Sequence, residues 1–114
     1  MRILIIEDSE SVANFYSIAF EGHEVGVCED GKEFLAVVEG FSPDLVITDI
    51  HLRGISGVDT IKRWGNKEVR VAIISADSPS SISRQAQQLK SSGYNIVGAL
   101  SKPVSAKDLR ELVK

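Results

Sequence analysis

Cysteine is nearly absent: Cys28 stands alone among 114 residues. No internal disulfide can form, so a reducing cytoplasm is the expected setting. Cys28 falls in a predicted strand, which favours a buried, inert thiol over a reactive one. Long apolar runs are also missing, so no segment of this chain is expected to span a membrane. The first residues read as a strand, not as a charged leader followed by a signal core. Positive charge is not in excess: 13 Lys and Arg stand against 16 Asp and Glu, a net charge of −3. That argues against direct nucleic-acid binding through a basic face, though it leaves room for a small local basic patch. Internal repeats and linkers are lacking too, which fits one domain over residues 1–114 with one core.

Strand and helix signals alternate. Apolar runs at about 2–7, 24–28, 45–49, 69–75 and 96–100 read as five strands. Between them lie stretches with apolar residues at helical spacing. The first carries Val12, Phe15, Tyr16, Ala19 and Phe20, and Gly22 ends it. The second carries Phe34, Val37, Val38 and Phe41. Ser56-Gly57-Val58-Asp59 opens the third like a capping box, with Val58 and Ile61 inward and Gly65-Asn66 as its stop. Ser78-Pro79 opens the fourth, whose apolar stripe is only Ile82, Ala86 and Leu89 before Gly93. Ser105 starts a last helix with Leu109, Leu112 and Val113.

The first, third and fourth strands are apolar throughout, as parallel strands covered on both faces are. The expected fold is α/β, a doubly wound parallel sheet of five strands with helices on both faces. Ligands of such sheets sit beyond the carboxyl ends of the strands. Chemistry-bearing residues collect at that edge. Glu7 and Asp8 follow the first strand, Asp49 ends the third, Ser75 ends the fourth, and Lys102-Pro103 follow the fifth. Taken singly, each is an ordinary turn, cap or solvated charge. Their joint arrival at one edge is what carries meaning.

Three clustered carboxylates repel one another, and a hard dication relieves that. Mg²⁺, or Mn²⁺ in its place, suits carboxylate, water and phosphate oxygens. Three negative charges less the Lys102 ammonium leave a remainder that one dication cancels. Phosphoryl transfer to a carboxylate asks for positioning and charge neutralisation, which Lys102, the Ser75 hydroxyl and a metal ion supply. Lys102-Pro103 fixes a turn at the strand exit, with a cis bond as one option.

With these residues in place, the chain resembles the receiver domain of two-component response regulators from Arg2 to Leu112. The resemblance implies an α/β fold, a flavodoxin-like doubly wound five-stranded parallel sheet, strand order 2-1-3-4-5, with helices on both faces. The matching segments are Ile3-Leu4-Ile5-Ile6-Glu7-Asp8, Pro43 through Ile50, Gly57 eight residues after Asp49, Ile73-Ile74-Ser75-Ala76, and Lys102-Pro103. The resemblance implies that Asp49 accepts phosphate from a histidine kinase or phosphotransfer protein. It implies Mg²⁺ bound by Asp8, Asp49 and the backbone carbonyl of His51, with Glu7 acting through water. Ser75 and Lys102 would bind phosphoryl oxygens, and phosphorylation would reshape the face of helix 4, strand 5 and helix 5. Ala76, Asp77, His51 and Ala99 occupy positions that tune switching or lifetime. Output would pass to a downstream domain or protein, with the receiver a monomer or a phosphorylation-dependent dimer in the cytoplasm.

The sequence departs from the family pattern. Ala99 stands where a Tyr or Phe is usual, and Tyr94 lies too far back to replace it. Arg53 stands where Pro is common, and the stretch from Ser75 to Lys102 is several residues longer than usual. Residues 93–103 are similar to receivers attached to Glu-Ala-Leu-type cyclic-di-GMP phosphodiesterase domains. Among other functions, a phosphorylation-independent interaction module is the nearest alternative, favoured by Ala99 and opposed by the intact acidic set. A turnover phosphatase using an Asp nucleophile would want a second Asp where His51 stands. A nucleotide or flavin domain would want a glycine-rich loop where Glu7-Asp8-Ser9-Glu10 stands.

Overall fold

A computed structural model describes all residues, 1–114. Ten elements alternate along it: β1 (Arg2–Ile6), α1 (Glu10–Ala19), β2 (Glu24–Cys28), α2 (Gly31–Phe41), β3 (Leu45–Asp49), α3 (Gly57–Trp64), β4 (Arg70–Ser75), α4 (Pro79–Ser91), β5 (Ile96–Ser101) and α5 (Ala106–Glu111). The strands form one sheet of order β2-β1-β3-β4-β5. All four pairings are parallel. This is the doubly wound α/β architecture expected from the alternating pattern.

Each helix begins on a side-chain cap. Ser9, Asp30, Ser56, Ser78 and Ser105 accept the N–H groups of Val12, Glu33, Asp59, Ser81 and Asp108. Such caps satisfy donors that a helix start would otherwise leave unpaired. The helices end on equally local devices. Gly65 caps α3 in the left-handed region, and Gly93 follows α4 at φ +94°.

The sheet sorts its side chains by parity. Leu4 and Ile6 of β1, with Val46, Val71 and Ile73, pack against Phe34, Val38, Ile61, Ile82, Ala86 and Leu89 of α2, α3 and α4. Ile3 and Ile5, with Leu45, Ile47, Ala72 and Ile74, pack against Tyr16, Ala19 and Phe20 at α1 and Leu109 of α5. Burying both faces explains the unbroken apolar runs. Ile82, Ala86 and Leu89 are the buried residues of α4, as its sparse stripe predicts.

Two apolar positions depart from the sequence reading. Phe15 is 41% exposed and Val37 40% exposed, while Ala13 takes an inner place on α1. Both exposed residues sit at the margin of a helical stripe, where spacing alone does not decide the facing. The strand ends also shift by one residue. β1 stops at Ile6, leaving Glu7 in the loop, and β5 runs on to Ser101.

Register sets up the site. Ile6 lies opposite Thr48, Asp49 opposite Ile74, and Ser75 opposite Ser101. The carboxyl ends of four adjacent strands are therefore level. Whatever follows each of them shares one rim.

Candidate functional site

Gly57 fixes the floor of this rim. A Cβ there would lie 2.1 Å from the Asp49 carbonyl oxygen and 2.8 Å from Thr48 Oγ1. Only glycine lets the start of α3 press onto the end of β3. The contact is closed by the Gly57 N–H, which donates to the Ile50 carbonyl at 2.8 Å. The Thr48 hydroxyl donates to the Asp49 carbonyl at 2.9 Å. Asp49 is thus held by its own backbone before its side chain meets any partner.

Lys102 joins the acids. Its Nζ donates to Asp49 Oδ2 at 2.7 Å and to Glu7 Oε1 at 2.9 Å. The other Glu7 oxygen accepts the Ser9 N–H at 3.1 Å, and Asp49 Oδ1 accepts the His51 N–H at 3.1 Å. Glu7 and Asp49 are both buried, while Asp8 is half-buried. Glu7, Asp8 and Asp49 can each bring one oxygen to within 4.8 Å of the others.

The electrostatics follow from burial. Loss of water raises the Glu7 pKa above its ordinary value, although Lys102 and the Ser9 N–H pull against that. Burial also works against the Lys102 ammonium. Its hydrogen bonds to Asp49 and Glu7 prevail, and its pKa is raised. Lys102 therefore stays cationic through the neutral range.

The donor set fits a hard dication. Three carboxylates converge, and charge counting leaves two negative charges after Lys102. The Asp8 carboxylate takes part in no ion pair, whereas both Glu7 oxygens are engaged by protein donors. Both Asp49 oxygens are engaged as well, by Lys102 and the His51 N–H, so Asp8 is the acid with the freest oxygens for an ion. The arrangement is consistent with Mg²⁺ binding.

Ser75 is fully buried at the end of β4, and its Oγ accepts the Asp77 N–H at 3.0 Å. It is not hydrogen-bonded into the Asp49–Lys102 network. His51 is exposed, and its Nε2 lies 2.8 Å from both carboxylate oxygens of Asp77. This pair ties the loop after β3 to the loop after β4. Spacing along the chain gives no sign of it, because 26 residues separate the partners. Ala76 is exposed beside them.

The Lys102–Pro103 peptide is cis. Pro103 and Lys102 line an apolar groove with Val12, Phe15 and Val104. Ala99 is exposed on β5. Tyr94 sits before the start of β5, its hydroxyl donating to the Lys62 carbonyl at 3.4 Å and its ring 5.3 Å from Lys67 Nζ. It belongs to the opposite rim of the sheet and does not replace an aromatic at Ala99. Cys28 is buried, and burial pushes its thiol up to about 12. That is the inert thiol expected of it.

Comparison with known proteins agrees with this geometry. The family model for the response regulator receiver domain matches residues 3–114. The chain is 28% identical over 120 residues to the positive alginate biosynthesis regulatory protein of Pseudomonas aeruginosa, covering 100% of this chain and 46% of that protein. It is 34% identical over 114 residues to the uncharacterized transcriptional regulatory protein YrkP of Bacillus subtilis, covering 98% and 47%. The chain thus spans about half the length of these curated relatives. Among solved structures it resembles the signal receiver domain of a modulated diguanylate cyclase from Desulfovibrio desulfuricans G20, with TM-score 0.81 and 28% identity over 97% of this chain and 88% of the other. A level strand rim, a lysine-bridged acidic set and a family match along nearly the whole length agree, and the chain belongs to the response regulator receiver domain family.

Proposed function

We propose that the chain is a phosphorylation-controlled switch in which Asp49 accepts a phosphoryl group from a histidine kinase or a histidine phosphotransfer protein. The carboxylate oxygen of Asp49 forms a bond to phosphorus. The phosphorus–nitrogen bond to the donor imidazole breaks, and its electron pair stays on that nitrogen. Lys102 offsets charge on the transferring oxygens, and the Ser75 hydroxyl is the second donor toward them. Asp8, Asp49 and the His51 carbonyl are the metal ligands in this reading, with Glu7 acting through water. Bound Mg²⁺ supplies charge neutralisation at the phosphoryl oxygens.

The observation that carries the proposal is the Lys102 ammonium, 2.7 Å from a buried Asp49 carboxylate within reach of Glu7 and Asp8. A lysine so placed already sits where a phosphoryl oxygen on Asp49 needs a cation. Signal output is read from the α4–β5–α5 face by a downstream domain or protein. The similarity of residues 93–103 to receivers of cyclic-di-GMP phosphodiesterases favours an output in that chemistry.

Ala99 favours a second reading, a receiver-like interaction module that works without phosphate. The two separate cleanly. After incubation with Mg²⁺ and acetyl phosphate, intact mass should rise by one phosphoryl group, and D49N should not change. Omitting Mg²⁺ should also abolish the gain. An unmodified wild-type chain under these conditions would establish the second reading.

A further inference from the structure

A second concave site lies on the α2–α3 side of the same rim, walled by the loops after β2 and β3 and by the two helices. It is a cavity of about 430 Å³ lined by Asp30, Lys32, Leu35, Arg53, Gly54, Ile55 and Arg63. That size falls in the range of small-molecule sites. Three of its seven lining residues are cations, in a chain whose net charge is −3. None of the three belongs to an ion pair. The one acid in the wall, Asp30, is occupied as the cap of α2 and accepts the Glu33 N–H at 2.8 Å. Glu33 in turn accepts the Glu29 N–H at 3.3 Å. Asp30 keeps its charge while it caps α2, and the three cations outnumber it in the wall.

The walls are fixed rather than loose. A Cβ on Gly31 would lie 2.1 Å from Thr60 Oγ1, so the start of α2 is pressed directly onto α3. Behind them Phe34 and Trp64 pack edge-to-face with ring centroids 5.3 Å apart. Gly54 turns the loop at φ +77°, between Arg53 and the half-buried Ile55. Leu35 and Ile55 give the cavity an apolar side, and the stems of the lysine and arginines extend it. Two guanidinium forks and an ammonium suit phosphate oxygens, while the apolar side suits a planar body.

We propose that this cavity binds a phosphate-bearing small molecule of nucleotide size. Volume decides against inorganic phosphate as the whole ligand, since it would leave Leu35 and Ile55 uncovered. The site shares no residue with the Glu7, Asp8, Asp49 and Lys102 set. It is therefore testable apart from phosphorylation.

The probes are ADP, adenosine, inorganic pyrophosphate and a short poly-glutamate peptide, each titrated into the isotope-labelled chain with EDTA present. Without metal, binding at the acidic rim is suppressed. ADP should shift the amides of Lys32, Leu35, Gly54, Ile55 and Arg63, with adenosine and pyrophosphate each at least about tenfold weaker. R53Q and R63Q should each weaken ADP about tenfold, as loss of a charge-assisted hydrogen bond does. Both positions are exposed, so folding should be kept, and unchanged spectra elsewhere would verify that. No shifts at these amides with millimolar ADP would overturn the proposal. So would shifts confined to residues around Asp49, ADP binding indifferent to both arginine variants, or the acidic peptide binding more tightly than ADP.

Discussion

Lys102 and His51 are the two side chains that close contacts across the rim, and they do so with different strengths. Lys102 bonds two buried carboxylates from a position only 24% exposed. His51 is 66% exposed and meets a more protected Asp77. An exposed pair of this kind contributes little to stability, about 0–1 kcal/mol. Its role is better sought in access. The bridge joins the loop after β3, which follows Asp49, to the loop after β4. In the proposed switch it would stand beside water attacking a phosphorylated Asp49. H51A should speed loss of phosphate from Asp49 by roughly fivefold, the rate equivalent of about 1 kcal/mol. D77A should act in the same direction, and the double variant should add nothing further, because one contact is removed in each case. Phosphate release followed after the donor is withdrawn gives the rates. Unchanged rates in H51A, or fully additive effects, would remove this role from the pair.

At the scale of elements, α4 stands out for the narrowness of its apolar stripe relative to its length. It is 13 residues long and buries only Ile82, Ala86 and Leu89, with serine, arginine, glutamine and lysine over the rest. Its N-terminus follows directly on Ser75 and Asp77, through the bond from the Asp77 N–H to Ser75 Oγ. In the proposed switch, drawing Ser75 toward a phosphoryl group on Asp49 would break that bond and release the first turn. With Ala99 exposed on β5 in place of an aromatic, the expected carrier of that change is α4 itself. Amide exchange over residues 76–93 should therefore change when beryllium trifluoride and Mg²⁺ are added, while β1 and β3 stay protected. Exchange in 76–93 that ignores the phosphate mimic would dismiss α4 as the carrier. Much of this was legible in the chain, because apolar spacing fixes which face of α4 is buried and Ser78-Pro79 fixes its start. The carboxyl-end rim was legible too, since parallel strands joined by crossover helices end on one edge, while their order came from the family resemblance. What was hidden depends on distance through space. The His51–Asp77 bridge, the close approach of Gly31 to Thr60 and the cation-lined cavity all join residues whose separation encodes no period.

The whole molecule is a sheet with a core on each side, and each core holds one buried acid of high pKa. Cys28 lies in the core under α2, α3 and α4, and Tyr16 in the core under α1 and α5. Burial raises Cys28 from 9.0 to about 12 and Tyr16 from 10.0 to about 12. Both are acids held neutral in the folded chain, so the sign is fixed. Between the unfolded and folded values the folded state binds more protons than the unfolded one, and stability falls as pH rises. The contribution is fully present below about pH 9, and it declines until the folded groups themselves titrate near 12. Each group contributes at most about 1.4 kcal/mol of lost stability per pH unit within its window. Lys102, whose pKa is also raised, contributes a loss of the same sign at the alkaline end. Urea denaturation at successive pH values should show a steepening loss above pH 9. C28A should flatten the slope from pH 9 upward, and Y16F from about one unit higher, each irrespective of its own cost in packing. The two effects should add, because the sheet keeps the residues in separate cores. A C28A chain with the wild-type slope would mean that the thiol reaches water on this pH scale and that the core around Cys28 opens before the molecule unfolds.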